Sequence, residues 1–377
     1  MAVTSIVRDR GRTIGVVAVL TAAVALVSVP AALGAVDGDP IGTSTFTFKL
    51  SGKFKKQLKK NGVKMKPKKL KLTKGDVDPT TGAADLRFGK VTFKKGHKKV
   101  VYSNIKGSMP GKLKGSSGAL FKLTSPTVAR NGFGADLTGV KVKFLKSAAK
   151  KINKKLDLHS LKPATAGSFG LAYQPETVKI LGGTAQVTGS LAAGSVVLKL
   201  LTAHCGNIPA PIPPATAALP NTFFPVGGGT ISPAGTSGVV QQQGGVRITN
   251  STSGGCASSP TASVVQSDFA VNLALQNIQA HVNIESARAL CGGTADTCPP
   301  FTGDKGIAIT QLADPAGATV TANPSNHTIS VNGATIKINE VSAQTLNGAF
   351  PRVSANPADD FASGDVFGTS NLTVTVR

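Results

Sequence analysis

Apolar residues alternate with polar ones at Phe46, Phe48 and Leu50, at Val140, Val142 and Phe144, and again at Phe269, Val271, Leu273 and Leu275. A period of two puts one face of each run inside and the other in water, so each is expected to be a half-buried β-strand. Clusters of Gly, Pro, Ser and Asn separate the runs and supply turns. In a few places the spacing changes to three and four. Phe54 and Leu58 lead into Asn61-Gly62, which predicts a short helix with a left-handed end. Ala149, Ile152 and Leu156 predict a second, and Ala343, Leu346 and Phe350 a third. The proline-rich stretch 207–225 reads as a loop. The expected fold is all-β, mainly antiparallel and sandwich-like, with a few short helices.

The pattern also repeats. Gly139-Val140-Lys141-Val142-Lys143-Phe144 matches Gly333-Ala334-Thr335-Ile336-Lys337-Ile338, and at the same offset of 194 Ala149, Ile152 and Asn153 match Ala343, Leu346 and Asn347. Phe169-Gly170 then matches Phe367-Gly368. Upstream, Gly75, Val77 and Pro79 match Gly229, Ile231 and Pro233, and Val100-Val101-Tyr102-Ser103 matches Val264-Val265-Gln266-Ser267. The blocks keep their order, so two tandem related modules are expected, at 44–180 and 190–377, with Leu181-Gly182-Gly183 as the hinge. The second copy is the longer one, with extra residues around Cys256 and around 285–306.

The N-terminus breaks this pattern. Arg8, Arg10 and Arg12 precede an unbroken apolar run from Ile14 to Val29, followed by small residues at Ala31, Ala32, Gly34 and Ala35. This is the layout of a secretory signal over 1–35, with cleavage after Gly34 or Ala35 and a retained anchor as the alternative. The expected location is therefore the cell envelope or the medium, with the membrane touched only through that segment if it is uncleaved. Four cysteines suit an oxidising compartment. They allow three pairings, and the short spacing of Cys291 and Cys298 favours that bond, leaving Cys205 with Cys256.

Charge divides the two copies. Residues 36–180 hold 32 Lys and Arg against 8 Asp and Glu, a net of +24, whereas 181–377 hold 7 against 9, a net of −2. Thirty of the 32 cations are lysine, a hydrated point charge suited to diffuse attraction more than to shaped recognition. Lys55, Lys56, Lys59 and Lys60 on the first helix, and Lys94, Lys95, Lys98 and Lys99 at a hairpin, are the candidates for contact with a polyanion such as an envelope polymer or lipid headgroups. Specific nucleic-acid recognition is not expected, because aromatics and arginines are scarce among them. The bland alternative is a solvated, repulsive surface.

Enzyme chemistry finds no support. No Gly-x-Ser-x-Gly elbow is followed by an acid and a histidine, and the histidines His97, His159, His204, His281 and His327 are scattered. His281 is expected on the solvent side of its strand. Asp76 and Asp78 read as a polar turn, since the glycine of a calcium loop is misplaced. No histidine stands at ligand spacing from a cysteine pair, so no metal site is expected.

Several segments carry a family resemblance: Leu58-Lys59-Lys60-Asn61-Gly62-Val63, Phe224-Pro225-Val226-Gly227-Gly228-Gly229, Gly244-Gly245-Val246, and the Ala-x-x-Leu-Asn helix ending at Asn347. Together they resemble the HtaA-like modules of exported actinobacterial proteins, over nearly all of the chain beyond the signal. The resemblance implies an exported, non-enzymatic binding protein, with haem as the cofactor to expect, held by a tyrosine that a histidine supports. The chain has two tyrosines, Tyr102 and Tyr173, both in the first copy. Their candidate partners are His97, in the hairpin turn before Tyr102, and His159, near the end of the same copy. The alternative function is a structural or adhesive envelope protein acting through its lysines.

Overall fold

The computed structural model describes residues 37–377 apart from 68–69, 219, 251–262, 287–306, 315–316 and 351. The expected signal segment and Cys256, Cys291 and Cys298 lie outside the described residues. The first half runs β1 (Asp39–Leu50), α1 (Gly52–Lys60), β2 (Lys64–Lys66), β3 (Leu72–Val77), β4 (Ala84–Phe88), β5 (Val91–Lys95), β6 (Lys98–Tyr102), β7 (Ile105–Met109), β8 (Gly111–Gly115), β9 (Gly118–Leu123), β10 (Thr127–Asn131), β11 (Gly134–Phe144), α2 (Lys146–Leu156) and β12 (Ala164–Pro175). The second runs β13 (Val178–Gly189), α3 (Val196–Ala203), β14 (Ala210–Ile212), β15 (Thr216–Ala218), β16 (Asn221–Ile231), β17 (Gly238–Gln242), β18 (Gly245–Thr249), β19 (Ser263–Asn272), β20 (Asn277–Ser286), β21 (Ile307–Asp314), β22 (Thr319–Asn323), β23 (Thr328–Ile338), α4 (Glu340–Ala349) and β24 (Val366–Val376).

The antiparallel, all-β expectation holds, and each half closes into a ring. In the first, β11 pairs with both β12 and β9, so the order β11-β12-β1-β3-β4-β7-β8-β9 returns to its start. In the second, β19 pairs with both β17 and β20 and closes β23-β24-β13-β16-β17-β19-β20-β21. Each half is thus an eight-stranded barrel, and the facing layers of a sandwich are opposite walls of one sheet. Closure removes the edges that would otherwise template pairing with another chain. Off the first ring, β2, β5 and β6 form a small three-stranded sheet, and β14 and β18 extend from β19 in the second.

Irregularities recur at matching places. The bulge between Leu137 and Val140 returns between Val331 and Ala334, each holding a glycine at positive φ, Gly139 at 72° and Gly333 at 78°. A residue with a Cβ is strained there, which is why both copies keep glycine. The shift between Leu72 and Lys74 returns between Val226 and Gly228. Left-handed Asn104, where β6 gives way to β7, returns as Asp268 inside the single bent strand β19.

These registers correct the sequence alignment at one point. Phe48 pairs with Phe169 in the first barrel as Val187 pairs with Ser370 in the second. The counterpart of Phe169-Gly170 is therefore Ser370-Asn371, three residues beyond the Phe367-Gly368 that similarity of side chains selects. The link from α4 to β24 is longer than that from α2 to β12, and likeness of side chains does not fix by how much. Gly167 and Gly368 are the true pair: a Cβ on either would collide with the carbonyl oxygen of the neighbouring strand, at Lys49 and Thr188.

Three further expectations change. The first barrel begins at Asp39 rather than 44, and β13, covering much of the gap left between 180 and 190, is a ring strand of the second barrel, so the division falls between Pro175 and Val178. Leu181-Gly182-Gly183 is no hinge; it lies inside β13, at a bulge between Ile180 and Gly182. The stretch 207–225 holds β14, β15 and the start of β16. Pro211 is compatible with a strand because β14 is the end strand of its sheet, where a missing N–H leaves no neighbour unpaired.

The three expected helices form, with Phe54 and Leu58, then Ala149, Ile152 and Leu156, then Ala343 and Leu346 as their buried stripes. A fourth, α3, was not visible as a period because Val196, Val197, Leu198, Leu200 and Leu201 are apolar on all sides. Ser195 caps it, its hydroxyl accepting from the Leu198 N–H at 3.4 Å as Ser51 accepts from Phe54 at 3.1 Å in α1.

Candidate functional site

Alternation around the three-stranded sheet sorts its side chains cleanly. Met65, Phe93, Val100 and Tyr102 point inward and are buried, so Lys64, Lys94 and Lys99 point outward. Antiparallel register then places Lys64 opposite Lys94 and Lys94 opposite Lys99. Like charges facing each other across strands oppose folding, so this row is held in place by the apolar face beneath it. Phe93 meets Tyr102 edge-on at 6.2 Å and Phe144 at 6.2 Å, and Phe144 meets Phe54 of α1 at 5.2 Å.

Beside this sheet lies a groove formed by the end of β1, the outer turns of α1 and strand β2. Lys49, Lys55, Lys59, Lys64 and Lys66 line it, over a floor that includes Phe48, Leu58 and Met65. Gly62, at φ 65°, turns the chain from α1 into β2 and so brings Lys59 and Lys64 to the same groove. Among the described residues none of these five lysines has an acidic partner, and the groove contains no carboxylate.

The eight lysines singled out from the sequence are all exposed but are not equivalent. Lys55 and Lys59 line the groove, and Lys94 and Lys99 belong to the row that begins at Lys64. Lys56 and Lys60 lie on α1 outside the groove lining. Lys98 pairs with Asp157 at the end of α2, and Lys95 donates to the Asp157 carbonyl oxygen at 3.4 Å. The Lys98 ammonium holds the Asp157 carboxyl below the usual carboxylate range. Lys49, Lys64 and Lys66 were missed as groove residues because they are distant in sequence from the helical cluster; the alternating pattern around Met65 was the available signal.

The tyrosines are placed where a haem ligand is not expected. Tyr102 has no exposed surface, its hydroxyl lacks a partner, and burial pushes its phenol up to about 12. Tyr173 is 2% exposed, donates to the Val77 carbonyl oxygen at 3.3 Å, and is likewise shifted upward by burial. A tyrosinate is disfavoured at both. His97 does sit in the β5–β6 turn, exposed, but five residues from Tyr102, about 16 Å along an extended strand. His159 is exposed just before β12 whereas Tyr173 is near the other end of that strand, about 30 Å away by strand rise. The structure brings neither pair together.

Other sequence readings find their places. His281 is exposed, with Ala280 and Val282 facing inward. Asp78 forms a polar turn, accepting from the Thr80 N–H at 2.8 Å and the Thr81 hydroxyl at 2.9 Å. His204 is buried against Phe361 and its two ring nitrogens face the carbonyl oxygens of Phe350 and Asp359, which ties α3 to the end of α4. Cys205 is disulfide-bonded, and its partner lies outside the described residues, as do Cys291 and Cys298.

No family model matches the chain, and no curated protein matches it. Among solved structures it is similar to the C-terminal domain of HtaA from Corynebacterium glutamicum, at 12% identity and a TM-score of 0.33, covering 53% of this chain and 99% of that one. It is similar also to the N-terminal domain of the same protein, at 15% identity and a TM-score of 0.33, covering 52% of this chain and 97% of that one. This is a weak likeness of fold, and nothing about ligand or activity follows from it.

Proposed function

We propose that the chain is an exported, non-enzymatic, HtaA-like binding protein of the cell envelope, attached to anionic polymers or lipid headgroups by the lysine surface of its first barrel. The observation that carries this reading is the groove of five lysines with no carboxylate, continuous through Lys64 with the row Lys64, Lys94 and Lys99. Cations gathered at cross-strand spacing repel one another in the free protein, and an anionic surface relieves that repulsion by pairing with them at close range, where salt screens least. The haem reading rests on the family resemblance and is weakened by the burial of both tyrosines.

The test is binding of the full chain to vesicles containing phosphatidylglycerol and, separately, to immobilised polyphosphate. Each lysine near an anionic surface contributes about 1 kcal/mol. Changing Lys55, Lys59 and Lys64 together to Gln is therefore expected to weaken binding about 100-fold at low salt. Retention of the triple variant at wild-type salt would remove the proposal. Preference for one of the two matrices identifies which anion is the partner.

A further inference from the structure

The barrels differ inside as well as outside. In the first, Phe48, Phe88 and Phe169 from ring strands and Tyr102 from the adjoining β6 are buried in one core, and Leu50 packs against it. The matched registers put Val187, Gly189, Gln242, Gln266 and Ser370 at the same five positions of the second barrel. Four aromatic rings and a leucine are thus replaced by smaller or thinner groups, and a cavity of ≈ 370 Å³ lies there, lined by all five. Apolar cavities of about 150 Å³ take up benzene, so this one has room for two to three rings or an equivalent chain.

Three observations describe its occupant. Leu191 and Ile208, 58% and 45% exposed, also line the cavity, so it reaches solvent between two large apolar side chains. No charged side chain lines it among the described residues. Gln242 and Gln266 are 8% and 7% exposed, and among the described residues neither side-chain amide has a hydrogen-bond partner. A buried primary amide without a partner is unfavourable, and each offers both donors and an acceptor to whatever enters. With no cation to receive it, a carboxylate or phosphate is poorly accommodated.

We propose that the second barrel binds a neutral, mainly apolar small molecule whose hydroxyl or carbonyl group is met by the side-chain amides of Gln242 and Gln266. The lysine surface of the first barrel plays no part in this binding, so either proposal can fail alone. The replacement of filling aromatics by Gln and Ser at matched positions is what a site needs: space from one substitution, specificity from the other.

Titration of the full chain with prodan, a neutral two-ring ketone whose emission moves to the blue on leaving water, is the test. A saturable blue shift is expected, displaced by 1-decanol at least tenfold more effectively than by decanoate at pH 8. Ser370→Phe restores the ring that the first barrel carries at this position and is expected to reduce prodan affinity at least tenfold. Should that variant fail to fold by circular dichroism, Val187→Phe, which copies Phe48 of the first barrel, takes its place. Gln242→Leu with Gln266→Leu is expected to keep prodan binding and to lose the preference for decanol over decane. An absent or unsaturable shift, equal displacement by decanoate, or undiminished binding in a folded Ser370→Phe or Val187→Phe variant would each overturn the proposal.

Discussion

The first barrel is filled by aromatic side chains and coated with lysine; the second is hollow at the matched positions and carries a net charge near zero. Ring order, both helices and the glycine bulges are nevertheless the same in the two. The comparison separates what the fold requires from what it leaves free. Alternation of apolar residues and the shared bulge glycines Gly139 and Gly333 accompany closure in both rings. What stands inside the ring, and what stands on it, varies without disturbing closure. The lone cation of α3 shows the same freedom: Lys199 forms a largely buried ion pair with Asp365 at 2.7 Å, where α1 presents five lysines with no acidic partner among the described residues.

Giving the first barrel the residue of the second should have the largest effect on this comparison. Phe169 is buried and packs against Phe46 at 5.2 Å. Phe169→Ser removes a ring from a filled interior and leaves a hydroxyl there, so a loss of about 3–5 kcal/mol is expected in urea unfolding. A loss below about 1 kcal/mol would mean that the first interior is no better filled than the second.

A smaller contrast lies between the two phenols. Tyr102 buries a hydroxyl with no partner, so Tyr102→Phe should stabilise by about 1 kcal/mol, whereas Tyr173→Phe gives up the bond to Val77 and should cost about 1 kcal/mol. Neither change is expected to alter the visible spectrum of the chain mixed with haemin. Loss of a Soret shift in the Tyr102 variant alone would restore the haem reading.

Much of this architecture was legible in the sequence because strands announce themselves by alternation, as Val140, Val142 and Phe144 do, and because the repeat preserves its bulge glycines. The α3 helix was hidden because apolar residues occur on every side of it, and the true counterpart of Phe169 was hidden because a longer connector places it three residues beyond the match that side-chain likeness selects. The lysine surface was half legible: helical spacing grouped Lys55 with Lys59, but the rung from Lys64 to Lys99 depends on strand register that no local pattern encodes. The cavity was not legible at all. It exists only as a difference between matched positions, and a Gln or Ser in a strand reads as a solvent-side residue until its partner across the repeat is known.

The smallest expected effect concerns the strand that opens each ring. Asp39 and Val178 occupy matching positions, opposite Val77 and Ile231, and both are buried. Asp39 Oδ1 accepts from the Lys179 N–H at 3.0 Å, while Oδ2 has no partner. Burial raises its carboxyl above the usual range, against the pull of the Lys179 N–H and Arg377. The neighbouring Asp37 goes the other way, lowered by its hydrogen bonds to Lys179 and Arg377. A raised pKa means that the folded state holds the proton more tightly than the unfolded one. Asp39 therefore favours folding below the unfolded value of about 3.9, and that contribution is lost as pH rises through its raised folded value. Asp37 contributes above about 3.9 and loses its contribution as pH falls through its lowered folded value. Asp39→Asn keeps the acceptor for Lys179 and deletes only the first of these slopes. The variant should melt up to about 3 °C above the parent at pH 7, and the difference should close below about pH 3.5. A constant difference across that range would show that Asp39 binds its proton equally in both states, and a difference that widens as pH falls would show that the fold stabilises its carboxylate instead.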